Sequence, residues 1–171
     1  MDSINPAPAL DTPSDLTEKS RKKVAEAVNG LVADAFALYI KTKNFHWHMS
    51  GPHFRDYHIL LDEQAAQILE TIDPLAERVR KLGYDTIRSV GHIAQLQTVK
   101  DNDEDFVTPQ AMLEELVTEN KKMAKNLRDA HSLCDDAKDI ATASLLEEYV
   151  DATERRTWFL FETTRTGKSG K

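Results

Sequence analysis

The chain has 171 residues, which suits one domain with a single core. Its formal net charge of -7, with 30% charged and 40% hydrophobic residues, speaks against a disordered chain and against a broadly basic nucleic-acid surface. No apolar run approaches the ~18 to 20 residues that span a bilayer. The opening MDSINPAPALDTPSD has neither a basic start nor an apolar stretch, so no secretory signal is expected.

Residues 1–14 carry Pro6, Pro8 and Pro13 and no basic side chain, which reads as a flexible acidic tail. Ser14 or Asp15 can cap the first helix. Val24, Val28, Leu31, Val32, Ala35, Phe36 and Tyr39 recur at three- and four-residue steps, one face of a helix reaching about Met49. Ser50-Gly51-Pro52 breaks it. A second helix is expected from about His53 to Leu82, stopping at Gly83, with Arg78, Arg80 and Lys81 favourably placed in its last turns. The longer connection over 84–107 holds a short helix near Val90–Val99 and the acidic run Asp101–Asp105. Thr108-Pro109 is a capped start with proline at the first helical position. It opens a third helix marked by Met112, Leu113, Leu116, Val117, Met123, Leu127 and Ala130. Cys134, the single cysteine, precludes an intrachain disulfide, agrees with a reducing cytoplasm and is expected as a small buried hydrophobe. After Asp135-Asp136 a fourth helix carries Leu145, Leu146, Tyr149, Val150 and Phe159 and fades near Thr164, leaving residues 166–171 as a flexible basic tail. Without any alternating strand pattern, this is an all-α chain: a four-helix bundle over residues 15–165 with one long connection, between helices two and three, carrying a short extra helix. Ferritin-like folds have this arrangement.

Four of the six histidines, His46, His48, His53 and His58, fall within thirteen residues, with carboxylates close behind. Histidine with carboxylate suits iron, and zinc or manganese less selectively. His58 and Asp62 are four residues apart, as are Asp73 and Glu77, so each pair shares a helical face. Eleven residues, about three turns, separate Asp62 from Asp73, which puts all four on one stripe. His46 can join them across the Gly51-Pro52 turn. Yet Asp62 and Asp73 stand about 16 Å apart along the axis, too far for one metal centre in one chain. A second copy running antiparallel about a two-fold axis near Gln67 and Ile68 would bring the halves together, giving two identical sites per dimer. An intrachain di-iron bundle would instead carry Glu-x-x-His pairs, and no histidine here has Glu three residues before it. Asp73 has a second reading: followed by Pro74, it can be an N-cap that restarts the helix.

The segment NFHWHMSGPHFRDYHILLDEQAAQILETIDPLAERVRKLG resembles the signature of the Dps family, the DNA-protection-during-starvation mini-ferritins. His-Trp after a long helix, Gly-Pro-x-Phe, His-x-x-x-Asp-Glu and Asp-x-x-Ala-Glu-Arg all match. The resemblance implies that His46, His58 and Asp62 are ligands from one subunit and Asp73 and Glu77 from its two-fold mate. It also implies a hollow, twelve-subunit cytoplasmic shell that oxidises Fe(II), typically with hydrogen peroxide and also with oxygen, and stores ferric mineral inside. Trp47 and Trp158 match tryptophans that the family places near its iron centre.

Other residues carry weaker expectations. His48 and His53 read as packing or surface residues, or as auxiliary metal contacts, and His92 and His131 as structural or solvated. Arg78 is expected to pair with a neighbouring carboxylate. Asp139, Glu147, Glu148, Asp151 and Glu154 form a solvated helix face or, alternatively, an iron-collecting surface. Ala141 and Ser144 stand where relatives can be acidic. The alternative function, a nucleoid-associated protein coating DNA, meets an acidic N-terminus and only Arg165, Lys168 and Lys171 at the other end, so DNA binding is expected to be weak.

Overall fold

Thr17 starts the first helix, α1 (Glu18–His48), by accepting the Ser20 N–H at 3.2 Å. Ser14 does not act as the cap because its hydroxyl is already engaged by the Leu16 N–H. The computed structural model describes residues 8–165. Most of the two expected tails, residues 1–7 and 166–171, lies outside the described residues. The remainder of the N-terminal stretch lies against the end of the second helix. Pro8–Leu10 form a single 3-10 turn, Thr12 Oγ1 donates to Arg80 O at 3.1 Å, and Arg80 Nη2 donates to Leu10 O at 3.0 Å. These bonds tie the N-terminal stretch to the end of the second helix, where the Arg80 carbonyl also accepts the Gly83 N–H at 3.0 Å.

That second helix, α2 (Phe54–Lys81), follows a tight link in which Gly51 sits at φ 97°, a conformation glycine adopts without strain. It passes through Pro74 unbroken, so Asp73 does not restart a helix. Gly83, at φ 84°, ends it as the sequence predicts. A short helix, α3 (Val90–Leu96), stops before the expected Val99 because the Thr98 and Val99 N–H groups both turn to the buried Asp34 carboxylate. Thr108 caps α4 (Pro109–Ala137) through the Ala111 N–H at 3.3 Å, with Pro109 in the first turn. The next break falls two residues later than Asp135-Asp136 suggests. Lys138 takes the left-handed conformation there, and Asp139 caps α5 (Ile140–Thr164).

α1 packs against α2, α4 against α5, and α1 also against α4 and α3. Their apolar stripes meet in one core, with Val28, Val32 and Leu38 from α1, Leu61 and Leu75 from α2, Leu113 and Leu127 from α4, and Leu146 and Leu160 from α5 fully buried. Each such side chain contributes about 1.5–3 kcal/mol of transfer free energy. The architecture is the all-α four-helix bundle with an extra helix in the α2–α4 connection that the sequence predicts. No described helix is long and apolar enough to cross a membrane.

Candidate metal centre

The end of α1 and the start of α2 meet at two histidines. The His46 and His58 rings stack at 3.7 Å with an interplanar angle of 22°. His46 Nδ1 lies 2.8 Å from His58 O, and His58 Nδ1 lies 2.9 Å from His46 O. A carbonyl oxygen only accepts, so each Nδ1 carries the proton. In the neutral rings both Nε2 atoms therefore keep free lone pairs, the state a metal ligand needs. Asp62 Oδ1 stands 3.9 Å from His46 Nε2. A residue that sequence reasoning missed joins them: Lys43 Nζ bonds the same Asp62 oxygen at 2.7 Å. That hydrogen bond, and then the charge behind it, holds the Asp62 carboxyl below its ordinary pKa, with His46 and His58 adding smaller contributions. Lys43 precedes His46 by almost one turn of α1, which is the only sequence signal that would have found it.

Asp73 and Glu77 lie exposed further along α2, with Glu77 paired to Lys81 at 3.2 Å. The unbroken helix keeps Asp73 about 16 Å from Asp62 along the axis, and Glu77 farther. Among the described residues, no group of three or more His, Cys, Asp or Glu is arranged to hold an ion within this single chain. The structure thus brings His46, His58 and Asp62 into one neighbourhood and leaves Asp73 and Glu77 apart from it. On the α2 surface between the two sets, Leu69 is 46% exposed, and Ile59, Phe54 and Trp47 are exposed nearby.

The bundle interior is no rival site. Where facing helices meet, Arg156 is buried, donating from Nε to Asn120 Oδ1 at 3.1 Å and from Nη2 to Thr153 Oγ1 at 2.7 Å. Gln64 from α2 reaches the Arg156 carbonyl. Burial alone pulls the Arg156 pKa down to about 10. A guanidinium with amide and hydroxyl partners repels a cation instead of binding one.

The other singled-out residues divide. Trp47, 60% exposed, sits beside the site with the Lys43 ammonium 5.8 Å from its ring centre. Trp158 packs edge-on against Phe159 and lines a groove built from α4 and α5, with none of its walls from α1 or α2. His48 Nδ1 bonds Asn44 O, and exposed His53 lies 5.5 Å from the Tyr57 ring. His131 contacts Glu147 and Asp135. Arg78 pairs with a carboxylate, Asp139 at 2.8 Å, one that lies 61 residues away in sequence. Asp139 itself departs from the solvated-face reading: it is 3% exposed, caps α5 and is fixed by Arg78. Glu147, Glu148, Asp151 and Glu154 are exposed.

The profile of the ferritin-like domain matches residues 25–168, which sets the class. A relative from Deinococcus radiodurans, DNA protection during starvation protein 1, is 32% identical over 85% of this chain and 70% of its own length. A low temperature-induced protein of Nostoc sp. is 36% identical over 85% of this chain and 82% of its own. The solved structure of DpsC from Streptomyces coelicolor superposes with a TM-score of 0.89 at 28% identity, covering 99% of this chain and 96% of that one. The chain belongs to the Dps family of mini-ferritins.

Proposed function

We propose that this protein stores and detoxifies iron, with Fe(II) as its substrate, at sites shared across a two-fold dimer. His46, His58 and Asp62 supply one half of each site, and the partner's Asp73 and the partner's Glu77 supply the other. The observation that carries the reading is the division of one α2 stripe into two half-sites about 16 Å apart, with exposed Leu69 on the surface between them. An isologous contact through that face covers the apolar side chains and completes both sites together.

The donor set fits the cargo. Two imidazole Nε2 atoms suit Fe(II), and carboxylates favour the harder Fe(III); zinc or manganese can occupy the same donors. Two Fe(II) ions give up one electron each, and one hydrogen peroxide takes both electrons with two protons and leaves as two waters. Oxygen is the alternative oxidant. Removing peroxide and Fe(II) together protects DNA without contact, in keeping with the name of the Deinococcus relative. The chain assembles as a twelve-subunit shell of such dimers, holding ferric mineral inside.

Mixing two inactive variants tests the shared site. His58→Ala/Asp62→Ala chains and Asp73→Ala/Glu77→Ala chains are each expected to lose rapid peroxide-driven Fe(II) oxidation. Dissociated and reassembled together, they regain it, because mixed dimers contain one intact site. Failure of properly reassembled mixtures to regain any activity sinks the reading.

A further inference from the structure

The groove between α4 and α5 has a volume of ≈ 460 Å³. Trp158, 59% exposed, and Phe161, 47% exposed, line it from α5. Lys121 and Arg128 line it from α4. Arg128 is paired with Glu154 at 2.6 Å, whereas Lys121 is exposed and makes no ion pair among the described residues. A third cation, Arg165, pairs with Glu162 and stands 5.2 Å from the centre of the Phe161 ring. Half-exposed aromatic rings set among cations are the composition of an interface.

The crossover between α3 and α4 bears the opposite chemistry. Asp101, Asp103, Glu104 and Asp105 are all exposed there. Phe106 follows them and is 70% exposed, although the next residue, Val107, packs against the core. A ring this exposed fills no groove in its own chain. An apolar knob behind four carboxylates and an aromatic groove flanked by cations are therefore two separate, complementary surfaces of one molecule.

We propose that the groove is a docking site for a second copy of this chain: the acidic crossover of one copy enters the α4–α5 groove of the next. The Phe106 ring lies against Trp158 and Phe161 of the partner subunit, and the carboxylates before it face the partner's Lys121. Charge complementarity selects this occupant. Each copy carries a net charge of -7, so copies repel one another except where a negative patch meets a positive one. Knob and groove are different surfaces, which makes the contact heterologous, the kind that closes into rings. With the isologous contact along α2, it supplies the second joint that a shell of dimers requires. It rests on the shell in the proposed function but shares no residue with the iron-binding set.

Analytical ultracentrifugation of the full chain over a dilution series tests this. The wild type is expected to sediment as an assembly larger than a dimer. Phe106→Ala raises the concentration at which that assembly falls to dimers by about tenfold or more, the effect of losing an aromatic anchor. Lys121→Glu acts in the same direction, and adding Asp103→Lys/Asp105→Lys to it restores assembly. All these side chains are exposed, so the variants fold, which circular dichroism checks. Fe(II) oxidation by the resulting dimers reads the shared iron site separately. Wild-type dissociation in either single variant, or no recovery in the triple variant, overturns the proposal while leaving the shell standing. A wild-type protein no larger than a dimer removes the shell and this contact with it.

Discussion

His46 and His58 hold each other in place: each ring donates its Nδ1 proton to the other residue's backbone carbonyl, at 2.8 and 2.9 Å. Both are thereby braces, joining the end of α1 to the start of α2, with each Nε2 left free. His58→Ala is expected to slow Fe(II) oxidation at least about tenfold, the range in which even supporting groups of metal sites act. His46→Ala produces the same loss and also lowers thermal stability, because His46 is 8% exposed and its ring fills space between the helices. Stopped-flow oxidation and melting curves on both variants check this. Wild-type melting temperatures in both variants would remove the bracing role.

Lys43 occupies the Asp62 oxygen that a metal would take, at 2.7 Å. Lys43→Met removes a positive charge from the site while keeping a side chain of similar length. Metal affinity, measured with Zn²⁺ as a redox-silent probe, is expected to rise severalfold, since a like charge next to the incoming cation disappears. Unchanged affinity would mean that Lys43 swings away freely when metal arrives.

Pro74 is the one place where a helix rule and the site compete. Inside α2 it removes a backbone donor, at about 3 kcal/mol relative to alanine in an exposed helix interior. Pro74→Ala is expected to raise thermal stability by about 1–3 kcal/mol, less whatever packing the half-buried ring supplies. Oxidation rates stay at the wild-type level, because Asp73 and Glu77 are already held on a continuous helix. A fall in the oxidation rate would instead assign Pro74 a role in aiming Asp73.

The bundle was legible because periodicity and punctuation agree. Thr108-Pro109 and Gly83 mark ends that the structure places where the sequence does, and the stripe of His58, Asp62, Asp73 and Glu77 follows from helical geometry alone. Three features were not legible, two of them because they depend on partners distant in sequence. Asp34 sits in an apolar run, Leu31 to Phe36, as an acid that looks misplaced. Its carboxylate accepts from Thr98 Oγ1 at 2.9 Å, Val99 N at 3.2 Å and Asn126 Nδ2 at 3.0 Å, which fixes the crossover and ends α3 early. Asp139 belongs by spacing to an acidic surface, but Arg78, 61 residues earlier, draws it inward. Asp73 had two readings from Asp-Pro alone, and only the continuity of α2 separates them.

Cys134 gives the clearest pH dependence. Burial, and secondarily the Asp139 charge, push its thiol from 9.0 up to about 12. The thiol is fully buried near the end of α4, so the native protein at pH 8 presents almost no thiolate. Reaction with a thiol reagent is expected to be slow in the native state and fast after denaturation. The linkage has a definite sign. Between the unfolded pKa near 9 and the folded one near 12, the folded state holds the proton that the unfolded state has lost. Stability from this group is complete below pH 9 and declines as pH rises through that window. Cys134→Ala removes that contribution. Its denaturation midpoint should therefore fall less steeply than the wild type's between pH 9 and 11, in equilibrium unfolding followed by circular dichroism. Parallel declines for the two proteins would show that the thiol does not titrate differently on folding.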